Sequence, residues 1–191
     1  GFECQAVHWP SSCPADEFAK FVQEHPDYTV ISYVNTTAAV KAVTDVVVTS
    51  TNAKQIVESF PADEKIIFGP DRNLGNYINS ITGRNMLLWD GACHVHEQFS
   101  VEKILELKKQ YPDAAVLVHP ECKGAVSKLA DKVASTAGLL KYAIASDKKT
   151  LLWLRKAVFC TRCVRNVLRR TLFPLLPKTV PALAMNVISC V

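Results

Sequence analysis

Pro26-Asp27-Tyr28-Thr29-Val30-Ile31-Ser32-Tyr33 and Pro112-Asp113-Ala114-Ala115-Val116-Leu117-Val118-His119 decide the fold. In each, a Pro-Asp break ends a helical stretch and a β-rich run follows. The two stretches stand 86 residues apart (26 to 112), and the agreement continues without a gap. Ala39-Val40 falls on Ala125-Val126, Asp45 on Asp131, Val47 on Val133, and Thr49-Ser50 on Ser135-Thr136. Upstream, the helical stretch Phe18–His25 falls on Ile104–Tyr111. The chain therefore carries a duplicated unit.

Within the first copy, residues 14–25 read as an amphipathic helix. Asp16 and Glu17 favour its first turn, and Phe18, Phe21 and Val22 share one face. Ala38–Ala42 reads as a second helix, and Val46–Val48 and Ile66–Phe68 as short apolar strands. Continuous apolar runs suit parallel strands buried on both faces, and alternating helices supply the cover. The expectation is an α/β protein of repeated three-layer domains with parallel sheets. Polar residues collect where the strands end: Tyr33, Asn35, Ser50 and Asn52 in one copy, His119, Glu121 and Thr136 in the other. Open parallel sheets bind ligands beyond the carboxyl ends of their strands, and two facing copies would aim both sets at one cleft.

Length and composition narrow the class. The 191 residues suffice for one large domain or two small ones with real cores. No apolar run is long enough to span a bilayer and no signal peptide opens the sequence, so a cytoplasmic protein is expected. The seven cysteines are irregularly spaced, which favours thiols or metal ligands over a disulfide framework. The net charge of +4 hides an asymmetry: residues 151–191 hold seven Lys and Arg and no acid, which leaves residues 1–150 at −3. A basic tail is one way to bind nucleic acid.

The densest polar cluster is Trp89-Asp-Gly-Ala-Cys-His-Val-His-Glu97, joined by His119-Pro-Glu-Cys122. Cys93, His94, His96, His119, Glu121 and Cys122 offer the donors of a zinc site or a nucleophile–base pair. A lone histidine is more often a hydrogen-bonded structural residue, but two such loops at strand ends, one per copy, balance that reading. Gly69-Pro-Asp-Arg-Asn-Leu-Gly75 allows close backbone approach, and its Arg72 can meet a phosphate or carboxylate; it reads equally as a tight strand-to-helix turn. In Tyr33-Val-Asn-Thr-Thr37, Asn35 or Thr36 can cap the next helix. Cys160-Thr-Arg-Cys163 is a single CxxC without a second pair or a histidine partner.

Tyr33-Val-Asn-Thr-Thr-Ala38, Thr49-Ser-Thr-Asn-Ala53, Pro70-Asp-Arg-Asn-Leu-Gly75, residues 89–97, His119-Pro-Glu-Cys122 and Ala134-Ser-Thr-Ala137 together closely resemble the quinolinate synthase family, in that family's order and spacing from about residue 12 to 150. The resemblance implies two of three pseudo-symmetric α/β domains around a 4Fe–4S cluster held by one cysteine from each domain, with one iron open to substrate. It implies condensation of iminoaspartate with dihydroxyacetone phosphate to quinolinate in NAD biosynthesis, a transferase reaction. L-aspartate oxidase or aspartate dehydrogenase would be the upstream source of iminoaspartate, and no nucleic acid or membrane partner is implied. By the same resemblance Cys93 is a cluster ligand. Tyr33, Asn35, Ser50, His96, His119, Glu121 and Thr136 are the substrate-site residues. Glu121 has the acid–base role, His96 and His119 are its partners, Tyr33 joins them in the catalytic set, and Ser50 and Thr136 bind carboxylate or phosphate. Cys122 is a neighbour rather than a ligand.

The ends depart from the family. The family's first domain and two of its cluster cysteines are not recognisable, so a chain unable to assemble the cluster or turn over substrate is expected. The expected division is a non-family or shifted stub at 1–13, the family's middle domain at 14–93, the start of its third domain at 94–150, and a frameshift tail at 151–191. The 86-residue repeat calls for a strand at 151–155, and Leu151-Leu-Trp-Leu-Arg155 reads as its loss. Permitted codons for Leu151–Cys163, regrouped by one base, read IVATESGILHEM; the same shift over Pro181–Ser189 reads CACNECNF. Both resemble the family at this point. In that reading Cys160 and Cys163 are accidents of the wrong frame. The alternatives kept open are a zinc-dependent hydrolase using Cys93, His96, His119 and Glu121, and a basic-tail binder of nucleic acid.

Overall fold

The computed structural model describes residues 12–148 and 150–154, together with the backbone of 185–189. Two compact units divide between Cys93 and His94. The first runs α1 (Ala15–Gln23), β1 (Thr29–Tyr33), α2 (Ala38–Ala42), β2 (Val46–Val48), α3 (Ala53–Ser59), β3 (Ile66–Phe68), α4 (Arg72–Thr82) and β4 (Leu87–Leu88). Its four strands are parallel, in the order β2-β1-β3-β4. The second unit runs α5 (His94–Glu97), α6 (Val101–Gln110), β5 (Ala115–Val118), α7 (Gly124–Ser127), β6 (Lys132–Val133), α8 (Thr136–Ala145), β7 (Thr150–Leu154) and β8 (Met185–Ser189). Its order is β6-β5-β7-β8; the first three strands are parallel and β8 is antiparallel to β7.

Three layers follow from strand alternation. Along a strand, successive side chains point to opposite faces. In the second unit Val116, Val118, Leu152 and Leu154 pack with Ile104 of α6 and Val126 of α7. Ala115, Leu117, Leu151 and Trp153 pack on the other face with Leu139 of α8. In the first unit Val30 and Ile67 face Phe18 of α1 and Val40 of α2. The α4 helix approaches β3 and β4 at Gly75, where a Cβ would stand 2.6 Å from Leu88 Cδ2 and 3.1 Å from Phe68 Cδ1, so a larger residue would have to push these side chains aside.

The duplication holds in the hydrogen bonds. Ile31 pairs with Val46, and Leu117 with Lys132, each 86 residues on. Asp45 donates its N–H to the Val30 carbonyl and accepts the Val30 N–H on its carboxylate at 2.8 Å. Asp131 does the same with Val116, at 2.7 Å. Each aspartate thereby ties the start of one strand to the start of its neighbour. Asp45→Ala and Asp131→Ala should each destabilise by about 1 kcal/mol, less than a buried hydrogen bond to a carboxylate because both aspartates are exposed to solvent. Urea unfolding checks this, and a neutral result at either site would contradict it.

The third strand of the repeat differs from expectation in two ways. It is present: Leu151, Leu152, Trp153 and Leu154 are buried and pair with β5. Over 151–154 the expected loss does not occur, because a strand covered on both faces asks only for apolar or β-branched side chains, and Leu-Leu-Trp-Leu meets that demand. Its register is also one residue short. Thr29 pairs with Ile66, whereas Ala115 pairs with Leu151, an offset of 85 rather than 86. Cys160 and Cys163 lie outside the described residues.

Candidate active site

In the second unit β5 delivers the chain to its carboxyl end, where His119-Pro-Glu-Cys122 turns on a Cys122 N–H to His119 carbonyl bond of 2.9 Å. The turn keeps His119 and Glu121 inside, at 3 % and 4 % exposure. The short α5 helix supplies His96, also buried. Both imidazoles converge on one carboxylate oxygen: Nδ1 of His96 lies 3.0 Å and Nδ1 of His119 3.4 Å from Glu121 Oε2. The rings stack with centroids 5.2 Å apart, tilted by 22°. Thr136 begins α8 just after β6, the strand beside β5, so it stands at the same sheet edge.

Burial by itself pushes the Glu121 carboxyl up, but hydrogen bonds from His119 and His96 and their charge more than reverse this. The group is held well below the usual carboxylate range. It is therefore a carboxylate at neutral pH, flanked by two rings able to donate or accept a proton. A depressed folded-state value stabilises the fold above the unfolded value of about 4.5, and that contribution is lost as pH falls below it. Glu121→Gln should therefore flatten the fall of stability on acidification below about pH 4.5, read by urea unfolding at several pH values. An unchanged acid limb would contradict the triad.

The first unit places Tyr33 at the end of β1, Asn35 in the turn that follows, and Ser50 just beyond β2, all at the carboxyl edge of its sheet. The cap of α2 is Thr37, whose hydroxyl accepts the Val40 N–H, rather than Asn35 or Thr36; Thr36 instead bonds the Tyr33 carbonyl. The 69–75 segment is a tight strand-to-helix turn. Its Arg72 pairs with Asp90, and Gly69 lies so close to Trp89 that a Cβ would meet Trp89 Cβ at 2.3 Å.

Cys93 closes the first unit, buried, as a free thiol. Its N–H donates to Asp71 Oδ2 at 2.7 Å. Cys13 sits instead among Phe18, Val30, Val40 and Ile67, and burial pushes its thiol up to about 12. Cys122 lies in the core with its Sγ 3.8 Å from the Leu154 carbonyl. Iron–sulfur clusters are held by thiolates. Among the described cysteines, Cys93 alone lies in a polar loop rather than an apolar core. The donor set fits one cluster ligand from this stretch of chain.

Asp71 is the residue that motif reading passed over. It lies within the 69–75 segment but was given no role of its own there, and the structure shows it fully buried and capping α4.

In the second unit the buried His–Glu–His group sits at the carboxyl edge of a parallel sheet, where open α/β sheets bind ligands. The family model for Quinolinate synthetase A protein matches residues 5–190. The quinolinate synthase of Synechocystis sp. is 53 % identical over 141 residues, covering 74 % of this chain and 44 % of that protein. That of Thermosynechococcus vestitus is 46 % identical over 167 residues, 87 % of this chain and 52 % of its own length. That of Chloroherpeton thalassium is 50 % identical over 141 residues, 74 % and 44 %. The chain belongs to the quinolinate synthetase A family, and it spans about half the length of the curated relatives it matches. Among the described residues, no helix is long and apolar enough to cross a membrane.

Proposed function

We propose that this chain is part of a cytoplasmic quinolinate synthase, the transferase that joins iminoaspartate and dihydroxyacetone phosphate in NAD biosynthesis. L-aspartate oxidase or aspartate dehydrogenase would supply the iminoaspartate. The observation that carries the reading is Glu121 held as a carboxylate by His96 and His119 at a strand end, in a chain of this family. Glu121 accepts the proton that enolisation releases, and the two imidazoles hold and relay it. Tyr33, Asn35, Ser50, His119 and Thr136 supply phenol, amide, hydroxyl and imidazole groups to a phosphorylated, carboxylated substrate. Cys93 is one ligand of a 4Fe–4S cluster, which when bound offers an open iron as a Lewis acid. The zinc-hydrolase and nucleic-acid readings are not favoured, because neither accounts for the family match.

Because it spans about half the length of the quinolinate synthases it matches, the 191-residue chain on its own should make no quinolinate even after iron–sulfur reconstitution. Quinolinate from the purified chain would overturn this. We further propose that the reading frame shifts near residue 151, and that β7 forms because the peptide is β-prone in either frame, Leu-Leu-Trp-Leu or Ile-Val-Ala-Thr. The abrupt loss of acidic residues after 150 supports it. The nucleotide sequence of the locus tests it: a cysteine-rich motif in the neighbouring frame is expected, and its absence ends the idea.

A further inference from the structure

The carboxylate of Asp71 accepts from two backbone amides with different purposes. Oδ1 accepts the Leu74 N–H at 2.9 Å, which caps α4. Oδ2 accepts the Cys93 N–H at 2.7 Å. Asp71 is fully buried and Cys93 is 3 % exposed. A second bond runs between the same two segments, from the Arg72 N–H to the Gly91 carbonyl at 2.8 Å, and Arg72 pairs with Asp90. The loop carrying Cys93 is thus fastened to the head of α4 rather than left to its own turns.

Capping alone does not require aspartate. Ser, Thr and Asn cap a helix about as well, because the helix asks for one acceptor. The second N–H changes the demand. A carboxylate presents two acceptor oxygens and no donor, whereas Asn would turn an NH₂ toward the Cys93 N–H and Ser has a single oxygen. We propose that Asp71 is the positioning residue for the Cys93 thiol, holding its backbone so that the sulfur is presented in one fixed place. This rests on the reading of Cys93 as a cluster ligand for its functional meaning, though not for the coupling itself.

Asp71→Ser and Asp71→Asn retain the cap and remove the Oδ2 acceptor. Alkylation of each cysteine by iodoacetamide, read by mass spectrometry on the intact 191-residue chain, separates positioning from stability. Cys13 lies in the core of the same unit and reports on general opening. Cys93 alkylation and exchange of its amide hydrogen should rise by about tenfold or more, the loss expected of one hydrogen bond to a charged group, with Cys13 unchanged. Unchanged Cys93 reactivity in both variants overturns the proposal. So does a joint rise of Cys93 and Cys13 in both, which would show a purely structural role. In the full-length protein, the same variants should weaken the visible absorption of the reconstituted cluster. If Cys93 reactivity responds while that absorption does not, the Asp71–Cys93 coupling stands and the cluster reading fails.

Discussion

Glu121→Gln in a full-length protein carrying this sequence should lower kcat by about 10²–10⁴-fold, the usual contribution of a positioned acid–base group. The iron content should not change. The amide has nearly the shape of the carboxylate, so packing between His96 and His119 survives. What is lost is the negative charge that holds the two Nδ1 atoms at 3.0 and 3.4 Å, and with it the site that accepts a proton. A variant with full turnover would remove Glu121 from the acid–base role. A variant that instead lost its iron would move the role from proton transfer to cluster support.

Cys93→Ala should abolish the cluster outright in the same full-length protein, and activity with it. The fold of the first unit should persist, because Cys93 ties into that unit through its backbone N–H to Asp71, which alanine retains. Absorption of the reconstituted protein reads the cluster and circular dichroism reads the fold. A cluster formed at wild-type yield would exclude Cys93 as a ligand.

Much of the architecture was legible because strands covered on both faces leave unbroken apolar runs, such as Ile66–Phe68 and Val116–Val118, and the repeat brought two weak signals into register. Positions set by a single backbone torsion were less so. Thr37 rather than Asn35 or Thr36 caps α2, since the chain becomes helical one residue later than the turn motif indicates. The strand at Thr150–Leu154 escapes motif matching because a strand buried on both faces constrains only polarity and shape, not residue identity. The loops holding His96, His119 and Glu121 stood out by composition. That both rings would meet a single oxygen did not, since it depends on how α5 seats against the β5 turn. Asp71 was hidden for a related reason: its bond to Cys93 spans 22 residues.

The central claim is that these residues do quinolinate synthase chemistry, and a chimera tests it most directly. Residues 14–150 of this chain replace the matching segment of the Synechocystis sp. relative, and quinolinate is measured from iminoaspartate and dihydroxyacetone phosphate under anaerobic conditions. The account predicts turnover within about tenfold of the parent, a barrier change of no more than ~1.4 kcal/mol. A chimera that folds and holds its cluster yet makes no quinolinate would contradict it.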